Sequence, residues 1–246
     1  MTDPKKILHR LVRKFDQRTQ LDDADRAALL NLPYEFKRLE PGRQIVRQGM
    51  TPTHGVLLLK GLVFRNKITA EGARQIVSIH VAGDFVDLEG IFLDVVDHNI
   101  QALTRCEVAM VRSADLLKLV DAHPRIARAM WIDTMVDGAI FREWVLNVGR
   151  RDAREALAHL FCEFARRLEA AGLGSTEGYE LPMTQEQLGD ATGLTSVHVN
   201  RTLKAMADDG LIERERRFIR IPDWEVLRTV AGFNETYLHL EQVAVR

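Results

Sequence analysis

The sequence predicts an α+β chain: an N-terminal antiparallel β jelly roll, a long central helix and a C-terminal winged helix-turn-helix. Three observations predict it. Between residues 34 and 111, short runs rich in β-branched residues alternate with Pro-Gly and Gly turn signals, as in EFKRLEPGRQIV, GVLLLKGLVFRNKI, RQIVSIHVAGDFV and NIQALTRCEVAMVR, which is the pattern of an antiparallel sandwich or jelly roll. From residue 125 to 148 apolar residues recur at helical spacing without a break, and the run is long for a globular helix. Residues 184–221 then read as two short helices about a glycine, followed by a basic hairpin.

Taken in order, residues 5–32 carry Leu8, Leu11, Val12 and Phe15, then Leu21, Ala24, Ala28 and Leu32, at helical spacing, and Pro33 closes the helical region. The strand-like runs follow. Ser113, Asp115 and the pair Leu116-Leu117 open a further helix, and Pro124 stands where a first-turn proline starts the long one. That helix bears Ile126, Met130, Trp131, Met135, Val136, Ile140, Phe141, Trp144, Val145 and Val148. These residues cover more than one face, so the helix is expected to pack on its own domain with one side and on a second copy with the other. A helix buried wholly within a monomer is the alternative, and the period assigns no unique heptad register.

The polar run Gly149-Arg150-Arg151-Asp152 marks a boundary, which divides the chain into a jelly-roll domain with N-terminal helices (1–123), a dimerisation helix (124–149) and a C-terminal domain (150–246). A helix over about 154–171 stops at Gly172 and Gly174, and STEGYELP is expected to be a loop.

Composition narrows the class. With 246 residues, 46% hydrophobic and 28% charged, the chain supports one or two ordinary cores, and two domains are expected. The net charge of −1 means that affinity for an acidic partner has to come from a local basic patch. No apolar stretch approaches the roughly 18 residues of a membrane span, and MTDPKKILHRLVRKF lacks the apolar core of a signal peptide, so the chain is expected to be cytoplasmic and to have no membrane partner. Cys106 and Cys162, in the apolar contexts TRCEVAMV and HLFCEFA, are expected to be buried thiols without a disulfide or metal pair.

The segment MTQEQLGDATGLTSVHVNRTLKAMADDGLIERERRFIRIPD carries the chemistry. Thr184 and Gln187 form a capping-box start, with Gln185 between them in the first turn, and Leu188 and Ala191 give that helix its inner face. Gly193 supplies the turn. In the next helix, starting at Thr195 or Ser196, Val199, Leu203 and Met206 face inward, which leaves Ser196, Val197, Asn200, Arg201 and Lys204 outward, with His198 beside them. Short polar and basic residues at an exposed helix N-terminus suit the major groove, where arginine bridges guanine O6 and N7 and asparagine pairs with adenine. LIERERRFIRI reads as a hairpin in which Arg216 and Arg217, with Arg214 and Arg220, would lie beside the phosphates of double-stranded DNA. Glu213 and Glu215 allow a merely solvated hairpin, but the consecutive order of all these parts favours DNA readout.

These residues, with the Gly83-Asp84-Phe85 turn and the long helix, resemble the Crp/Fnr transcription regulators over nearly the entire chain. The resemblance implies a cyclic-nucleotide-binding-like jelly roll that senses an effector, a parallel homodimer along the long helix, two recognition helices on a twofold site, and contact with RNA polymerase. Arg201 matches the family's base-reading arginine, whereas the glutamate four residues before it is replaced by Val197. In the sensor, the family's Gly-Glu pair for ribose is replaced by Asp87-Leu88, and its Arg-Ser or Arg-Thr pair for the cyclic phosphate by His98-Asn99. Asp87, Leu88, Glu89, His98 and Asn99 are therefore the candidate effector pocket, but GDFVDLEGIFLDVVDHN has five acids and no Arg or Lys, so cyclic AMP is not expected. No cysteines cluster near the N-terminus, so an iron-sulfur cluster is not expected, and Asp87 and Glu89 stand where haem members have Cys and His. His54, His80 and His98 form no spacing motif, so no metal is expected.

Two other classes stay in view. One is a ligand-binding or protein-interaction module without DNA readout. The other is a hydrolase using Asp87, Glu89 and His98, whose spacing fits no acid–base motif, so no enzyme is expected.

Overall fold

The computed structural model describes residues 4–240; the outermost residues of the two predicted end domains lie outside the described residues. The chain forms two compact units, one made of the described residues up to Arg65 with Ile79–Gly138, the other of Asn66–Ser78 with Ala139–Leu240. The division falls inside the long helix, ahead of the polar run at 149–152.

In the first unit, α1 (Pro4–Thr19) and α2 (Asp23–Leu30) precede the strands β1 (Glu35–Leu39), β2 (Gln44–Val46), β3 (His54–Lys60), β4 (Val63–Ile68), β5 (Arg74–His80), β6 (Asn99–Ala102) and β7 (Cys106–Arg112), with the end of β4 and most of β5 belonging to the second unit. Asp22 caps α2 in a reciprocal box with Asp25. Among the described residues the strands make two antiparallel sheets, β1-β7-β3 and β2-β6-β4-β5. The predicted runs each fall on strands, and turns fall at Pro41-Gly42 and Gly83, whereas Gly55 lies within β3.

β3 explains why HGVLLLK is continuously apolar rather than alternating. Val56 and Leu58 pack inward with Val63, Ile100 and Val108, while Leu57 and Leu59 join the opposite cluster of Leu11, Phe15, Leu29 and Leu116. A strand covered on both faces needs apolar residues at every position. The helices α3 (Ser113–Ala122) and α4 (Pro124–Arg150) follow, and Ile126 and Met130 seal that second cluster. Lys14 ties α1 to the Gly83-Asp84 turn and to α4, at 2.9 Å from Asp84 and 2.8 Å from Asp133.

The second unit continues with α5 (Ala153–Ala170), β8 (Gly178–Glu180), α6 (Gln185–Thr192), α7 (Ser196–Asp208), β9 (Glu213–Glu215), β10 (Phe218–Arg220) and α8 (Trp224–Val230). The stretch STEGYELP, expected to be a loop, contains β8, which pairs antiparallel with β10. Its three residues are too few to show alternation; the strand exists because β10 supplies its hydrogen bonds, and because Tyr179 is buried and donates to the Phe161 carbonyl at 2.8 Å. Glu163 on α5 is buried without strain, since Trp144 Nε1 at 3.1 Å, Tyr237 Oη at 2.8 Å and Arg167 at 3.2 Å all donate to it. Among the described residues no helix is long and apolar enough to cross a membrane.

Candidate nucleic-acid interface

The helix pair is fixed by local chemistry. Thr184 Oγ1 accepts from the Gln187 amide at 3.1 Å, and Gln187 Oε1 accepts from the Thr184 amide at 2.9 Å, so both ends of the predicted capping box are made. α6 ends at Gly193 with φ +72°, a left-handed conformation that L side chains seldom adopt. Gly189 is needed for a different reason: a Cβ there would lie 2.4 Å from the Leu194 carbonyl oxygen, so the close approach of helix and turn demands glycine. Thr195 then caps α7 by accepting from the His198 amide at 3.2 Å.

α7 buries the face the sequence predicted, Val199, Leu203 and Met206, and exposes Ser196, Val197, Asn200, Arg201 and Lys204. Val197, 78% exposed, is an apolar side chain presented to solvent at the helix start, suited to contact a thymine methyl. His198 is half-buried at the edge of this face, while Thr184 is exposed and Gln185 half-buried at the start of α6. The hairpin β9–β10 is the wing, in register Phe218↔Glu215 and Arg220↔Glu213. Arg216 holds the tip in a left-handed turn at φ 53°, and both Arg216 and Arg217 are exposed. Arg220 lies 3.7 Å from Glu213 across the ladder, so that arginine is partly spent on the hairpin itself.

The five pocket candidates do not all converge. Asp87, Glu89 and His98 come together, each offering an atom within 4.8 Å of the others. Leu88 instead joins the apolar cluster against the helices. Asn99 turns to the neighbouring edge and accepts from Gln44 at 2.8 Å and the Gln48 amide at 3.1 Å. The loop Leu93–His98 with Gly90 closes a cavity of about 10 Å³ over Asp87, Glu89 and His98, room for one water or one ion.

Two neighbours were not read as pocket groups from the sequence. Asp97 accepts a 2.8 Å hydrogen bond from His98 Nδ1. Arg65, on β4 and far away in sequence, reaches Asp137 at 3.1 Å, the Val86 carbonyl at 2.9 Å and Glu89 at 3.6 Å. Burial, and next the charge of Glu89, push the Asp87 carboxyl up to about 6. Burial and then Arg65 push the His98 imidazole down, favouring its neutral form.

Comparison with known proteins is consistent along the chain. Residues 36–123 match the model of the cyclic nucleotide-binding domain, and residues 155–230 that of the Crp-like helix-turn-helix domain. The transcriptional activator protein FnrL of Cereibacter sphaeroides is 27% identical over 234 residues, covering 92% of this chain and 93% of that protein. Electron transport regulator A of Shewanella oneidensis is 29% identical over 200 residues, 80% of this chain and 78% of that protein. The solved structure of FixK2 from Bradyrhizobium japonicum superposes with a TM-score of 0.76 at 24% identity, over 82% of this chain and all of that one. With both domain models matched in their proper order around the long helix, and with relatives spanning nearly its full length, the chain is a DNA-binding transcription regulator and belongs to the Crp/Fnr family.

Proposed function

We propose that the chain works as a homodimer on a twofold DNA site, with one α7 from each protomer in successive major grooves, and that it answers to a ligand held in the jelly roll. The observation that carries the reading is the exposed face of α7, where Asn200 and Arg201 project from a helix start fixed by Thr195 and Gly193. Support for the dimer lies on α4. Trp131, Thr134, Phe141, Val145 and Val148 are exposed and Gly138 is half-exposed, and their spacing alternates three and four residues, the seam of a two-stranded coiled coil. RNA polymerase is the partner this reading brings in, since the relative FnrL is named a transcriptional activator.

The pocket residues do not fit a cyclic nucleotide. A cyclic phosphate needs a free cation or several amide donors, whereas here Asp87, Glu89 and Asp97 surround a space of about 10 Å³ and Arg65 already serves Asp137 and Glu89. The buried Cys106 and Cys162 are likewise no ligand set for an iron-sulfur cluster.

Selection of bound duplexes from a random DNA pool, with and without cyclic AMP, tests the reading. The expected product is a palindrome whose half-sites lie about one helical turn, ~34 Å, apart, recovered equally in both conditions. Recovery only with cyclic AMP would overturn the fit argument, and recovery of unrelated sequences would overturn the DNA readout.

A further inference from the structure

We propose that Asp87, Glu89 and His98 bind a divalent metal ion of the zinc class, and that this ion is the ligand of the jelly roll. The effector half of this proposal rests on the DNA-binding reading above; the site itself does not.

The three donors are gathered at one point, and Glu89 is shared with Arg65 at 3.6 Å. Asp87 is 1% exposed and His98 3%, yet His98 Nε2 has no hydrogen-bond partner and the Asp87 carboxylate is approached only weakly, by the Gly90 amide. Buried acceptors left without donors are destabilising, and a cation placed between them would offset that cost. The two buried groups face one another: His98 Nε2 lies 3.9 Å from Asp87 Oδ1. A tetrahedral ion with bonds of about 2.0–2.1 Å needs donors roughly 3.4 Å apart, and a movement of a few tenths of an ångström supplies that.

The imidazole is oriented for the task. His98 Nδ1 lies 2.8 Å from Asp97, so its proton sits on Nδ1 facing that carboxylate and the lone pair is left on Nε2; Glu89, 3.3 Å from Nδ1, has to swing its carboxylate toward the Nε2 side to join the set. A carboxylate behind a ligating histidine is the usual arrangement at protein zinc sites. Asp97 is therefore a positioning residue, not a ligand.

Charge points the same way. Asp87, Glu89, Asp97 and Asp137 set four carboxylates against the single guanidinium of Arg65, which lies 3.6 Å from Glu89. Arg65 screens one side of the site, but the remaining excess is negative, and a doubly charged cation offsets it. The cavity of about 10 Å³ has room for an ion. One nitrogen with two carboxylates selects zinc-like transition metals over calcium or magnesium, which take oxygen alone. Three protein donors also leave a fourth position open for water.

Calorimetric titration of the full-length, chelator-treated protein with Zn²⁺ tests the site. One ion per chain is expected, with Mg²⁺ giving no comparable binding. Asp87→Asn should weaken binding by more than about 100-fold and Asp97→Asn by about 10–100-fold, the usual loss when the group behind a ligating histidine is removed. Asp97 has a 79% exposed side chain, so its variant folds whatever Asp87→Asn does. Absence of binding, or equal affinity in all three proteins, overturns the site. Duplex affinity measured on zinc-loaded and metal-free protein tests the effector half, with a change of about fivefold or more expected. Bound zinc with unchanged duplex affinity overturns that half. Zinc binding without any duplex binding, loaded or free, sinks the DNA reading and leaves the site standing.

Discussion

Arg201 and Arg217 are both exposed arginines of the second unit, and the proposed DNA complex gives them different work. Arg201 projects from the outer face of α7, where in the proposed complex its guanidinium would reach guanine O6 and N7 in a fork; Arg217 flanks the wing tip, where it would meet phosphate. Arg201→Ala should cost about 1–3 kcal/mol on the selected site and relax one base position, as read by binding to a panel of single-base variants. Arg217→Ala should weaken every duplex alike and lower the slope of log K against log salt by about 1. Equal losses from Arg201→Ala across the whole panel would remove it from base readout. The placement and exposure of both residues were legible in the sequence, because the caps, the turn and the outer helix face lie within one continuous segment. The pocket was legible only in part. Asp87 and Glu89 are near His98 in the chain, but Arg65 enters from a different strand and Leu88 leaves for the core, and neither follows from local pattern.

At the level of elements, α4 carries two apolar stripes, and the proposed dimer would use the one its own chain leaves uncovered. Ile126, Met130, Ile140 and Trp144 are buried within the chain's own units, while Trp131 and Val145, each 63% exposed, stand on the other stripe. The sequence revealed that more than one face was apolar but gave no register, since period alone does not say which residues the chain itself covers. Once burial is known, the uncovered set follows coiled-coil spacing. Phe141→Asp or Val145→Asp should convert the dimer to monomer in sedimentation at micromolar protein, and should weaken a twofold site far more than a single half-site. An unchanged sedimentation coefficient would move the dimer interface elsewhere. β8 and α8 are elements the sequence reading missed; the three residues of β8 carry no period, and their pairing partner lies well downstream.

On the scale of the molecule, the second unit is organised about buried ionisable groups whose protonation matters to stability. His159 packs against Phe233 and Tyr237, and burial followed by the charge of Arg151 pushes its imidazole from 6.5 down to about 3. Glu143, 3.2 Å from Nε2, offers little compensation because Arg151 already holds it at 2.6 Å. A lowered folded-state value means that the unfolded chain takes up a proton the folded chain refuses, so the contribution of His159 is fully present above pH ~6.5 and is lost as pH falls toward 3. Urea midpoints should therefore decline across that window, and His159→Phe should flatten part of the decline; parallel curves for the two proteins would remove His159 as the cause. The two cysteines lead to a different kind of consequence. Cys106 lies in the first unit and Cys162 in the second; both are buried, and burial pushes the Cys162 thiol up to about 12. Neither is a reactive thiolate while its own unit stays closed. Each half of the molecule thus carries one native chemical clock, and the rate at which an alkylating reagent marks each sulfur measures the opening of that half separately from the other.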